Sequence, residues 1–228
     1  MTSMVCLQGG GEFSPGCRTM DAELVRRAGG RVVVSALAGS PGSDYRTATA
    51  NGVRHFRAVG AVDVVGAPDA RDEPAAAIEV LRTARLLVLP GGSPSRLLAA
   101  LQQTGVGQLV AELLEADGVV MGASAGAMVL CPWTVLPDRR GAQGPVVEAG
   151  LGLVPGVVVL PHWRAGGDRG DWERAVQARA GDGVQLLGLP EESGVVVEGT
   201  SFTAVGKSPS RLISQGRDLA VGERWDAA

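Results

Sequence analysis

Aromatic residues make up only 4% of this 228-residue chain, too few to offer stacking platforms for nucleic-acid bases. Basic residues are not in excess either. The net charge is −3 with both signs dispersed, so no positive stripe is available to follow a phosphate backbone, and a nucleic-acid partner is not expected. Cysteine is rare: Cys6, Cys17 and Cys131 are odd in number and lack CxxC or metal-ligand spacing. That excludes a disulfide framework and points to reduced thiols in a cytoplasmic setting, packed as small apolar residues. No apolar stretch reaches the roughly 18 to 20 residues of a membrane span. The start, MTSMVCLQGGGE, shows neither the basic opening nor the long apolar region of an export signal. Histidine occurs only twice, as His55 and His162.

What is present is glycine, 34 residues of it, and a 45% apolar fraction that suits a buried sheet. The length accommodates one substantial domain over residues 1–228. Short apolar runs alternate with segments of helical period. Met4 to Gln8, Arg31 to Leu37, Ala61 to Val65, Arg85 to Pro90 and Asp117 to Ala123 read as strands; Thr19 to Ala28, Asp44 toward Val59, Pro74 to Thr83, Arg96 to Leu101 and Val106 to Ala116 read as helices. Repeated strand-helix-strand order with right-handed crossovers predicts an α/β fold, a doubly wound, mostly parallel sheet with helices on both faces. After Gly194 the short runs VVVEG, SFTAVG, SRLIS and DLAVG predict antiparallel strands near the C-terminus. Cys131 to Glu148, rich in Pro, Gly and Arg and without period, is expected to be a surface excursion.

The chemistry concentrates at Gly122-Ala123-Ser124-Ala125-Gly126, a G-x-S-x-G sequence between a strand and a helix. Such a turn bends sharply and lifts its serine above the sheet edge, so Ser124 is the candidate nucleophile, with the N–H of Ala125 as one oxyanion donor. Pro90-Gly91-Gly92-Ser93 ends another strand before another helix. Its free N–H groups belong at the ligand-binding edge of an open α/β sheet, which makes Gly92 the candidate second donor. His162 follows the strand Val157 to Leu160 and is expected at that same edge as the base for Ser124, whereas His55 reads as a solvated helix histidine. Glu191, with Glu192 as second choice, follows the strand Gln185 to Leu189 and can orient the imidazole. The loop Gly9-Gly10-Gly11 could cradle an anion, but it has neither G-x-G-x-x-G nor G-K-[ST] spacing, so no nucleotide cofactor is called for.

In their order and intervals, Gly9-Gly10-Gly11-Glu12, Pro90-Gly91-Gly92, Gly122 to Ala127, Pro161-His162 and Glu191 to Gly194 resemble the peptidase E and cyanophycinase family of serine peptidases, which share a class I glutamine amidotransferase-like fold. α/β-Hydrolases run Ser, acid, His instead. The resemblance implies a catalytic Ser124-His162-Glu191 triad with Gly92 and Ala125 as oxyanion hole, no metal or cofactor, and a small peptide as substrate. Family members act on short peptides, peptidase E after an amino-terminal aspartate and cyanophycinase on β-linked aspartyl-arginine; the chain's length lies nearer peptidase E. An acidic substrate calls for a cation, and Arg164, Arg169, Arg139 and Arg140 are the candidates. Ser93, where the family commonly carries Asn or Asp, is the remaining substrate-binding candidate. A specialised acyl hydrolase or transferase on the same fold, an isoaspartyl exopeptidase, and a ligand-binding relative without turnover stay open, and a homodimer is compatible with the sequence.

Overall fold

A computed structural model describes residues 3–137, 144–164 and 170–226. The chain begins with β1 (Met4–Gln8), α1 (Arg18–Ala28), β2 (Val32–Val34), α2 (Ser43–Ala58), β3 (Val64–Gly66), α3 (Pro74–Leu81) and β4 (Leu86–Leu89). It continues through α4 (Pro94–Gln103), α5 (Val106–Glu115), β5 (Val119–Ala123) and α6 (Ala125–Leu130). Then come β6 (Trp133–Leu136), β7 (Val146–Ala149), β8 (Val157–Pro161), α7 (Gly170–Ala180) and β9 (Gln185–Leu189). The final strands are β10 (Ser193–Glu198), β11 (Ser201–Gly206), β12 (Ser210–Leu212), β13 (Arg217–Leu219) and β14 (Arg224–Asp226).

The central sheet has eight strands in the order β14-β11-β10-β1-β5-β4-β2-β3. Its five strands from β1 to β3 are mutually parallel, and β10, β11 and β14 extend it antiparallel. Because the parallel strands are covered on both faces, they read as unbroken apolar runs rather than alternating ones. Their side chains still divide by parity. Met4 and Cys6, Leu86 and Val88, and Val119 and Met121 pack with Met20, Leu24 and Phe56 on one face. Val5 and Leu7, Leu87 and Leu89, and Val120 pack with Leu81, Leu97, Leu101, Leu109 and Val110 on the other.

Two departures from the sequence expectation bear on the site. β8 and β9 do not join the central sheet; they pair in parallel within a separate four-stranded sheet ordered β13-β12-β9-β8. The segment expected to be an aperiodic excursion folds at its two ends into a hairpin, β6 with β7, from Trp133 against Ala149 to Leu136 against Val146.

His55 is the third correction. It is buried, not solvated: its Nε2 lies 2.7 Å from Asp21 Oδ2, and Asp21 Oδ1 accepts a 2.6 Å hydrogen bond from Gln8 Nε2. A lone polar group in such a place would carry a desolvation penalty, which the Gln8-Asp21-His55 chain offsets by mutual pairing. All three cysteines are free and buried, in keeping with their reading as small apolar residues.

Candidate active site

The geometry of Ser124 follows from its flanking glycines. β5 runs straight into the turn, and Ser124 takes φ 48° and ψ −107° before α6 begins at Ala125. That conformation is costly for a residue with a side chain and is held by the surroundings. A Cβ on Gly122 would lie 2.5 Å from Gly126 C, and one on Gly126 would lie 2.1 Å from Leu89 O, so both flanking positions must be glycine for the turn to close. Ser124 N–H donates to Gln8 O at 2.9 Å, tying the turn to β1. The residue is only 9% exposed, and its hydroxyl faces the imidazole of His162.

Ser124 Oγ lies 2.9 Å from His162 Nε2, and His162 Nδ1 lies 3.0 Å from Glu191 Oε1. The three side chains come from three segments far apart in sequence. His162 sits just beyond β8 in a left-handed conformation, φ 54°, and its N–H donates to Gly9 O at 2.8 Å. Glu191 follows Pro190 after β9. Its neighbour Glu192, also left-handed at φ 58°, turns the other way: its N–H donates to Gly10 O, while its carboxylate accepts from Ser14 Oγ at 2.7 Å and Lys207 Nζ at 2.8 Å. The Lys207 ammonium, with a smaller share from Ser14, holds the Glu192 carboxyl below its ordinary range, and Glu192 in turn raises Lys207. Of the two carboxylates left open by the sequence, Glu191 is the one on the imidazole.

The triplet Gly9-Gly10-Gly11 serves this arrangement. Here Gly9 N–H is spent on Ser193 O, and the carbonyls of Gly9 and Gly10 receive the backbone N–H groups of His162 and Glu192. The loop is the bed on which the histidine and the acid are seated.

The Pro90-Gly92 turn lies against Ser124, since a Cβ on Gly91 would be 3.1 Å from Ser124 Cβ. Gly91 N–H donates to Glu12 Oε1 at 2.7 Å, and Ser93 N–H donates to Ala38 O at 3.0 Å. Between them, Gly92 N–H forms no hydrogen bond among the described residues, and neither does the N–H of Ala125 at the first position of α6. Ser93 itself caps α4, its hydroxyl accepting from Arg96 N–H at 3.3 Å. Arg164 is exposed two residues beyond His162. Arg169, Arg139 and Arg140 lie outside the described residues. Among the described residues no group of three or more His, Cys, Asp or Glu side chains is arranged to hold a metal, and no helix is long and apolar enough to cross a membrane.

Such a chain of contacts suits acyl transfer: a hydroxyl bonded to an imidazole, the imidazole oriented by a carboxylate, and two unspent backbone donors beside the hydroxyl. Two participants were not singled out from the sequence, Gly10 under the imidazole and Glu12 on the Gly91 turn. The GGGE run after the first strand was the available signal.

Comparison with known proteins places the chain in a family. The family model described as peptidase family S51 matches residues 30–205. Peptidase E of Streptomyces coelicolor (strain ATCC BAA-471 / A3(2) / M145) is 32% identical over 190 residues, covering 79% of this chain and 75% of its own. The crystal structure of a peptidase from an acI-B1 Actinobacterium superposes with a TM-score of 0.79 at 22% identity, covering 99% of this chain and 97% of that one. A structure from Listeria monocytogenes EGD-e gives 0.66 at 18% identity, covering 91% and 100%. At those identities the two structures bear on the fold, an α/β arrangement around a large, mostly parallel sheet.

Proposed function

The chain belongs to peptidase family S51, and from that premise we propose that it is a serine peptidase, a single catalytic domain that hydrolyses short peptides, aspartyl dipeptides foremost, through Ser124, His162 and Glu191. The observation that carries this reading is the unbroken pair of contacts at 2.9 and 3.0 Å linking hydroxyl, imidazole and carboxylate.

In the proposed reaction, Ser124 Oγ attacks the scissile carbonyl carbon as its proton passes to His162 Nε2. Glu191 at Nδ1 keeps the imidazole in the tautomer whose Nε2 is free to accept, then stabilises the imidazolium. The oxygen of the tetrahedral intermediate gains a full charge beside the N–H groups of Gly92 and Ala125. Donors aimed at that charge and already fixed by the fold need no reorganisation, and removing one from a comparable hole typically costs about 10²- to 10³-fold in kcat. His162 returns the proton to the departing amine, and water, activated by the same imidazole, releases the acyl group from Ser124. An aspartyl side chain is met by a cation, with Arg164 and Arg169 as the proposed partners and Ser93 as the neighbouring polar contact.

Labelling by a fluorophosphonate probe tests the reading: the wild-type chain reacts and Ser124→Ala does not. A panel of Asp-X, isoaspartyl and β-Asp-Arg dipeptides then identifies the bond. Failure of the folded wild type to take the probe would refute the serine mechanism, whereas labelling without turnover of any panel member would refute only the substrate.

A further inference from the structure

Glu12 ends the GGGE run after β1, and its placement has no counterpart in the reaction as written above. Its Oε1 accepts the N–H of Gly91, the residue before the proposed oxyanion donor. The point where a Cβ on Gly91 would sit is 2.8 Å from Glu12 Oε1 and 3.1 Å from Ser124 Cβ, so carboxylate and nucleophile face each other across one glycine. Glu12 is half-buried and makes no ion pair among the described residues. Arg18 and Arg54 share a surface cleft with it, yet neither is paired to it, and Arg54 instead donates to Asn51 Oδ1.

Holding one N–H of a turn does not require a charge, since a glutamine carbonyl would accept that bond equally. A carboxylate beside the place where an oxyanion forms is an electrostatic handicap. An unpaired negative charge a few ångströms away slows such a step by roughly one to two orders of magnitude. The handicap disappears if the bound complex brings a cation to Glu12. A peptide with a free amino terminus carries that cation on the carbon next to the scissile carbonyl, within reach of any group lining the nucleophile.

We infer that Glu12 receives the free α-ammonium group of the substrate through its second carboxylate oxygen, and so restricts the site to acyl groups bearing an unblocked amino terminus. This inference rests on the peptidase reading. It makes Glu12 a specificity-determining residue: Oε1 shapes the Gly91-Gly92 turn, and Oε2 selects the amine.

The test compares aspartyl p-nitroanilide with succinyl p-nitroanilide, which keeps the side-chain carboxylate and lacks only the amine. Wild type should favour the aspartyl compound by at least about 10-fold in kcat/KM, the scale of one charge-assisted hydrogen bond. Glu12→Gln, which preserves an acceptor for Gly91 N–H, should lose most of that preference by slowing on the aspartyl compound, while the fluorophosphonate still labels Ser124. Equal use of the two anilides by wild type, or an undiminished preference in Glu12→Gln, would overturn the inference. Loss of labelling in Glu12→Gln would likewise overturn it, assigning Glu12 to the turn alone. If neither anilide is turned over, the comparison is made by calorimetry on Ser124→Ala with aspartate and succinate. Tighter binding of aspartate that vanishes when Glu12→Gln is added supports the inference, and equal binding by Ser124→Ala refutes it. Wild-type labelling by the fluorophosphonate separates these outcomes from a failure of the peptidase reading itself.

Discussion

The imidazole of His162 rests directly on Gly10: a Cβ built there would lie 2.3 Å from its Cε1 and 2.7 Å from its Nδ1. Atoms cannot approach so closely, so any side chain at this position must push the ring away from Ser124, Glu191 or both. His162→Ala should lower kcat by at least about 10³-fold with the fold intact, the scale of triad deletions elsewhere. Gly10→Ala should approach that loss although it deletes no catalytic group. Steady-state kinetics beside a circular dichroism spectrum checks both, and a Gly10→Ala variant with wild-type turnover would contradict the packing described.

Glu192 anchors the turn that carries Glu191, and its pH dependence has a definite sign. Its carboxyl is depressed below the ordinary value of 4.5, first by the Lys207 hydrogen bond and then by Ser14. A depressed carboxyl contributes stability that is whole above the unfolded value and is lost as pH falls through the folded one. Glu192→Gln should therefore melt below wild type at pH 7, with the gap closing as pH drops below about 4.5. Thermal melts between pH 7 and 3 measure it, and a gap constant across that range would count against the pairing. Turnover should fall as well, since Glu191 loses its fixed neighbour.

The Gln8-Asp21-His55 chain predicts a different outcome, lost stability without lost chemistry. Asp21→Ala leaves an imidazole and an amide buried without their shared partner, an injury that typically costs about 3 to 5 kcal/mol. Urea unfolding should show that loss, and turnover measured well below the new melting temperature should stay within about threefold of wild type. A loss under about 1 kcal/mol would mean that the pairing contributes little net stability.

Thiol chemistry distinguishes the serine reading from a cysteine one. Burial, with the Asp21 charge adding to it, raises the Cys17 thiol to about 11 and Cys6 well above its usual range, and burial alone pushes Cys131 up to about 12. None forms appreciable thiolate at pH 8. Iodoacetamide at that pH should leave the native chain active and unmodified, and should alkylate all three cysteines in denaturant. Inactivation by the reagent in native conditions would be the contrary result.

The parts of the site legible in the sequence were those whose cause is local. Ser124 announces itself because the strained turn imposes glycine two residues to either side, and those glycines stand next to it in the chain. His162 was identified by a different route, scarcity: with two histidines only one follows a strand. The supporting argument, that parallel strands of one sheet share an edge, does not describe the molecule, since β8 lies in another sheet. The choice between Glu191 and Glu192 depends on which way each side chain turns, which Ser14 and Lys207 decide from 178 and 15 residues away. Gly10, Glu12 and the buried face of His55 were hidden for the same reason. Each acquires its role from a partner distant along the chain, and hydrophobic period carries no record of such pairings. The β6 strand was obscured differently: four residues, WTVL, are too few to reveal a period beside proline, glycine and arginine.

Ser124 rides on the central sheet, while His162 stands beyond a strand of the smaller one. Their contact is therefore a gauge of how two slabs of backbone are seated on each other. A slip of about one ångström at the seam would stretch the 2.9 Å Oγ to Nε2 contact out of hydrogen-bonding range long before either slab unfolded. Heat or mild denaturant should accordingly silence such an enzyme while its spectra still look native, and activity would be the first property to report a loosened seam.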